Sequence, residues 1–210
     1  SIVFWYKTNW RPTFVFNLDK LKKHFGFGYK LTLSSLLNTG FVNVYNILIG
    51  KYYAVDILGY FERSKTFQHY IVSTLTDVVA NVSYPLLSKL QEDKDRMISV
   101  FKKVMSITFF IVAPVMLTLS VLAKPIFLLT LGGQWLEAVP FFQILCLSGV
   151  LYPLHFLNIN LLKVLGRSDL FLKLEIYKRI SLSIIILIAF QFGVFGLLLS
   201  TIFSSIIGFF

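Results

Sequence analysis

Charge is what this sequence has least of. Asp, Glu, Lys and Arg together make up 14% of 210 residues, and only 10 of those residues are acidic. Soluble domains carry about 25% charged residues. A chain this poor in charge cannot cover a water-facing surface, which excludes a soluble monomeric domain. Its 56% apolar content excludes disorder by the same reasoning. Cysteine is nearly absent as well. The single Cys146 allows no internal disulfide and, inside an apolar run, reads as a small core residue. There is no CxxC, no HExxH, no GxSxG and no Gly-rich phosphate loop of Walker type. No loop exceeds about 25 residues, which leaves no separate domain to hold a catalytic site. A non-enzyme without metal or cofactor is the expectation.

Long apolar runs are what the sequence has instead, with 22 Phe, 10 Tyr and 3 Trp among 210 residues. A membrane helix needs about 20 mostly apolar residues, because the hydrocarbon core is about 30 Å thick. Uncharged windows cover 31–50, 104–123, 138–162 and 180–210. The last is too long for one span, and Gly193 and Gly196 divide it. The segment 66–88 contains one charge, Asp77. The pattern predicts an all-α, polytopic bundle of six membrane helices: A (31–50), B (66–88), C (104–123), D (138–162), E (175–191) and F (194–210). Uncharged windows of this length also disfavour a β-barrel, whose strands alternate over about 10 residues.

The excess of basic over acidic residues, 20 against 10, would suit a nucleic-acid binder if the charges were clustered on one domain. Their positions say otherwise. Lys7, Arg11, Lys20, Lys22, Lys23 and Lys30 precede A. Lys89, Lys94, Arg96, Lys102 and Lys103 lie between B and C, and Lys163, Arg167, Lys173, Lys178 and Arg179 between D and E. With six alternating spans all of these fall on one side. The other side holds Lys51, Arg63, Lys65 and Lys124. This positive-inside pattern places the N-terminal segment and the B–C and D–E loops in the cytoplasm, and it accounts for the net charge without nucleic acid. The run 91–96 (QEDKDR) reads as solvated.

Two readings stay open for residues 17–29. Leu18, Leu21 and Phe25 are spaced as on an amphipathic helix lying at the cytoplasmic interface, and the same stretch serves equally as a basic flank. The chain opens on Ser1, and residues 1–6 (SIVFWY) read as the end of an earlier apolar run with no signal-peptide features. The expected organisation is therefore 1–30, the end of a preceding helix plus a cytoplasmic amphipathic linker, followed by the six-helix unit 31–210.

Polar side chains inside spans are costly and usually face a bundle interior or a water-filled cavity. In B, His69, Ser73, Asp77 and Asn81 recur every four residues and share a face. Asp77 is expected to be the acid within the spans, serving either as a hydrogen-bonded structural group or in cation binding or proton coupling. In A, Ser35, Thr39, Asn43 and Asn46 share a face with Asn38 at its edge, suited either to joining helices or to lining an aqueous path. In D, Ser148, Tyr152 and His155 lie on one arc beside Asn158, and His155 reads as a packed histidine near Pro153. Pro85, Pro114 and Pro153 are placed to kink B, C and D. The candidate cavity-lining residues are Asn38, Asn43, Asn46, Ser73, Asp77 and Asn81.

The stretch 131–175 (LGGQWLEAVPFFQILCLSGVLYPLHFLNINLLKVLGRSDLFLKLE) resembles bacterial polysaccharide-export flippases. So do 27–67 (FGYKLTLSSLLNTGFVNVYNILIGKYYAVDILGYFERSKTF) and 84–96 (YPLLSKLQEDKDR). These are the Wzx-type proteins of the multidrug/oligosaccharidyl-lipid/polysaccharide exporter superfamily. The most specific pieces are Gly133, Gln134 and Trp135, then Ala138, Val139 and Pro140, and the turn Gly166, Arg167, Ser168, Asp169. The resemblance implies 12 to 14 helices in two pseudo-symmetric lobes, of which this chain is the second. It implies translocation of lipid-linked oligosaccharide, usually on undecaprenyl diphosphate, across the bacterial inner membrane for O-antigen, capsule or exopolysaccharide assembly. The implied partners are that substrate, the surrounding lipids and the first lobe. A drug or cation antiporter of the same superfamily, or a membrane-embedded polymerase or ligase, are the alternatives.

Overall fold

A computed structural model describes residues 18–209. All its elements are helical, and there is no strand among the described residues. In chain order they are α1 (Leu18–Val42), α2 (Val44–Tyr52), α3 (Val55–Lys89), α4 (Lys94–Val121), α5 (Ala123–Thr130), a 3-10 turn (Gly133–Ala138), α6 (Val139–Gly149), α7 (Tyr152–Val164), α8 (Ser168–Phe190) and α9 (Gly193–Phe209). Among the described residues two stretches, Lys94–Val121 and Gly133–Val164, are long and apolar enough to cross a membrane by length and composition. The expectation for residues 1–6 lies outside the described residues.

The helices depart from the apolar windows in instructive ways. α1 runs unbroken from Leu18, so the amphipathic stretch continues into helix A rather than lying apart from it. Span A is then interrupted at Asn43, between α1 and α2. α3 begins at Val55, which reduces the expected A–B loop to Tyr53 and Ala54. Hydropathy finds only the lipid-compatible part of a helix. It is blind to the charged turns that extend α3 through Asp56, Glu62 and Arg63. Asp93, read as merely solvated, caps α4: its carboxylate accepts from Arg96 N at 3.0 Å, a cap worth about 1 kcal/mol. Span D is broken between Gly149 and Tyr152, and Pro153 sits in the first turn of α7, where its missing N–H costs no hydrogen bond. Pro85 and Pro114 stay inside continuous helices.

α6 is the centre of the packing. Seven of its 11 residues are buried, and it contacts α3, α4, α7 and α9. One face joins Phe141 and Leu145 to Tyr45, Phe61, Leu182, Ile186, Leu197 and Leu198. The other joins Phe142 and Cys146 to Val72, Val112, Met116 and Phe127. Cys146 is 0% exposed, a core residue as expected. Gly149 lets α6 close on α3 and α4: a Cβ there would collide with the side chains of Gln68 and Met116.

The two ends of the bundle differ chemically. At one end the α3–α4 turn meets the end of α7. Gln91 Nε2 donates to Val164 O at 2.6 Å, over a small cluster of Leu87, Met97 and Val164. This end gathers the basic B–C and D–E connections. The other end is aromatic. Tyr52 packs edge-on against Phe190 at 5.0 Å, and Tyr60 against Trp135 at 6.0 Å. Arg63 lies over the Trp135 ring.

Candidate functional site

α8 enters from the basic end with LKLEIYKR (172–179), and these two polar turns build the site. A helix places residues four apart on one face. Glu175 and Arg179 are therefore stacked on the same side of α8, and they form an ion pair there. Both are buried, at 5% and 8% exposure. Arg179 Nη2 also donates to Asn38 Oδ1 of α1 at 2.6 Å, and its guanidinium lies 5.4 Å from the centre of the Phe41 ring. α1 packs on α8 along this line. Removing two charges from water is costly, and Coulomb attraction offsets it only when further hydrogen bonds satisfy the pair. Here Asn38 supplies one such bond. Arg179 Nε, also buried, has no hydrogen-bond partner among the described residues.

On the neighbouring face of α8, Lys178 Nζ lies 2.5 Å from His155 Nε2 of α7. His155 Nδ1 lies 2.5 Å from Gly208 O of α9. An ammonium has no acceptor, so Nε2 accepts from Lys178 and Nδ1 carries the proton that Gly208 O accepts. His155 is thus satisfied on both nitrogens, as its packed reading required, and it ties three helices together. A cleft of about 410 Å3 opens beside this pair between α1, α7 and α8, with Ser34, Asn38, Tyr152, Lys163 and Glu175 in its wall.

The six residues singled out from the sequence fall in different surroundings. Asn38 lines the cleft and receives Arg179. Asn43 sits at the α1–α2 break, and its amide donates back to Thr39 O at 3.1 Å. Asn46, half-buried, accepts from Lys65 Nζ at 3.3 Å. Ser73 donates to Tyr70 O at 3.2 Å within its own helix. Asp77 and Asn81 are exposed. His69, on the same face of α3, packs edge-on against the Tyr152 ring of α7. Tyr152 therefore links the polar face of α3 to the cleft beside Asn38.

Among the described residues the acid buried within the helices is Glu175, whereas Asp77 is exposed. Lys178 and Arg179, counted above as loop cations, lie inside α8. The Glu–x–x–x–Arg spacing was the available signal, because it marks an ion pair along one helix face. Counting Lys178 and Arg179 with the D–E connection, although span E starts at 175, hides this spacing. Before it, the turn Gly166–Asp169 closes α7. Gly166 adopts φ +67°, Gly166 N–H reaches Lys163 O at 3.1 Å and Arg167 N–H reaches Leu162 O at 3.0 Å. That is a Schellman closure, which requires a residue comfortable in the left-handed region. Asp169 begins α8 and holds Arg167 through two bonds of 3.1 Å. The guanidinium lowers the Asp169 carboxyl to about 2.

Comparison with known proteins places this arrangement in context. The chain is 28% identical over 172 residues to the teichuronic acid biosynthesis protein TuaB of Bacillus subtilis, covering 81% of this chain and 36% of that protein. It is 24% identical over 206 residues to the lipopolysaccharide biosynthesis protein WzxC of Escherichia coli, covering 96% and 42%. It is 25% identical over 147 residues to the succinoglycan biosynthesis transport protein ExoT of Rhizobium meliloti, covering 70% and 30%. The chain thus spans well under half the length of these relatives. No solved structure matches it. The model of the polysaccharide biosynthesis protein family matches residues 1–140. That is more than half of the sequence, and the chain belongs to the polysaccharide biosynthesis protein family.

Proposed function

We propose that this chain is one six-helix lobe of a two-lobe transporter that moves a lipid-linked oligosaccharide across the bacterial inner membrane. The carrier is of the undecaprenyl diphosphate type, and the cargo is not chemically changed. The observation that carries this reading is the polar surface around Tyr152. Asn38 and Ser35 of α1 and His69 and Asp77 of α3 are exposed there, on a bundle whose outer surface bears many exposed apolar side chains, such as Phe110, Val121 and Leu129. A polar face on a lipid-facing helix is costly, and a second lobe covering it would remove that cost. The transport and polysaccharide terms in the relatives' names support the same reading.

A diphosphate and a glycan cannot cross about 30 Å of hydrocarbon unaided. A cavity between two lobes that opens to each side in turn hydrates the polar head while the lipid tail stays in the bilayer. In this reading Asn38, Asn43, Asn46, Ser73, Asp77 and Asn81 face that cavity. The basic end of the bundle lies in the cytoplasm, in keeping with the positive-inside pattern. The test is leaflet accessibility of the lipid-linked glycan in cells lacking the full-length protein. Accumulation on the cytoplasmic leaflet is expected. An unchanged distribution would overturn the reading. A cysteine placed at Ser99 should resist external labelling in intact cells, and external labelling would reverse the orientation.

A further inference from the structure

Two clefts meet at one pair of side chains. The first, about 410 Å3, is the one described above, with Asn38, Lys163 and Glu175 in its wall beside Phe156 and Phe171. The second, about 690 Å3, lies between α7, α8 and α9, with Leu162, Leu174 and Ile206 giving it a mostly apolar wall and Asn158, Glu175 and Tyr177 beside them. Lys178 and His155 border both. The charges at this junction do not cancel. Glu175 is already engaged by Arg179, while Lys163 and Lys178 form no ion pair among the described residues. Lys178 directs one N–H at His155 Nε2, which leaves two of its three donors. Cations without counterions among apolar helices favour an anion. An apolar gallery that continues from the same point favours an anion with a long chain attached.

We propose that these joined clefts bind the linker region of a polyprenyl-phosphate lipid, with the phosphate against Lys163 and Lys178 and the first isoprene units along Leu162, Leu174 and Ile206. The proposal rests on the transport reading above. It adds where, within this lobe, the head and the chain of the lipid part company. The hydrogen bond from His155 to Gly208 O holds α9 against α7, and this keeps the apolar wall in register with the cations.

The experiment uses the full-length protein in lipid nanodiscs and a photoactivatable polyprenyl phosphate with the reactive group on its first isoprene unit. Labelled peptides are expected from α8 around Leu174 and from α9 around Ile206. Lys178→Gln should lower labelling at least about fivefold, and Lys178→Arg should restore most of it. Ile206→Trp, at a position 41% exposed and therefore tolerant of size, should lower labelling by filling the apolar cleft with both lysines intact. Unlabelled polyprenyl phosphate should compete, and inorganic phosphate or the uncharged polyprenol should not. Labelling that is indifferent to both Lys178→Gln and Ile206→Trp would overturn the proposal. So would equal competition by phosphatidylglycerol, or labelling confined to other segments because another part of the longer protein fills the clefts. If deletion traps the glycan on the cytoplasmic leaflet yet labelling avoids α8 and α9, only this inference falls. If deletion leaves the distribution unchanged, the transport reading falls first.

Discussion

Along α8, one face carries Glu175, Arg179, Leu182, Ile186 and Ala189, all buried. The spacing is that of a single helical stripe, yet its character changes halfway. Near the basic end the stripe is an ion pair docked on Asn38 of α1. Near the aromatic end it is aliphatic and packs into the cluster around Phe141 and Leu145 of α6. The α6 half is dense and close-fitting, and packing explains it without any polar specificity. The α7–α8 half is held by directional bonds, with a cleft beside them. Dense apolar packing resists small displacements because each contact is lost outright when a gap opens. A few polar links around a cleft can be exchanged for ligand or water. The contrast is between a rigid aromatic half and an adaptable basic half of the bundle.

The largest effect should come from the rigid half. Phe142 is 0% exposed and packs on Phe127 at 5.2 Å, so Phe142→Ala should cost about 4 kcal/mol. Thermal unfolding in detergent and the amount of inserted protein measure it, and a cost below about 1 kcal/mol would break the comparison. In the adaptable half, Arg179→Ala leaves Glu175 buried without its partner and should cost about 3 kcal/mol. Replacing the pair together, by Glu175→Leu with Arg179→Met, should recover most of that stability while polysaccharide export still falls. Full recovery of export would reduce the pair to a structural role.

Smaller effects sharpen the contrast at its edges. Gly166→Ala forces a side chain into φ +67° and should cost about 1 kcal/mol, read from the same melting curve. Asp77→Asn, at an exposed position, should change stability by less than about 0.5 kcal/mol. Any loss of export by this variant would then report on transport and not on folding. The smallest effect concerns the exposed Arg167–Asp169 turn. Its carboxyl is held at about 2 in the folded protein, below the ordinary value of about 3.9. The contribution is therefore fully present above about pH 4 and is lost only as the pH falls toward 2. Between pH 5 and 8 the carboxyl resonance of Asp169 should not move, and a midpoint near 4 would show that the pair does not form in solution.

Some of this was legible from residues alone. Uncharged windows announce helices because, in lipid, each backbone N–H and C=O has to be satisfied within its own segment. Positive φ at Gly193 agrees with the glycine break read into 180–210. The buried site was less legible. Lys178 and Arg179 look like loop charges, and Glu175 goes unremarked at the start of span E, because hydropathy averages over neighbours. The cost of burying them is relieved in part by partners at distant positions, Asn38 for Arg179 and His155 for Lys178, that no local window contains. Asn38 was named for its place on a polar face, and its role as acceptor for Arg179 required knowing that α1 lies on α8.

The sequence by itself determined that the chain is helical and apolar, where its cations concentrate, and where glycine and proline interrupt it. Those properties follow from local rules: backbone hydrogen bonding in a low-dielectric medium, the helical period, and the limits of φ at each residue type. Only the tertiary structure decided which polar groups meet. It placed Glu175 rather than Asp77 in the interior, joined Lys178 to His155 and His155 to Gly208, and brought two clefts together at Lys178 and His155. The reason is that the energy of a buried charge depends on partners brought within hydrogen-bonding distance, about 3 Å, and such distances between residues 38, 155, 179 and 208 exist only once the helices have packed.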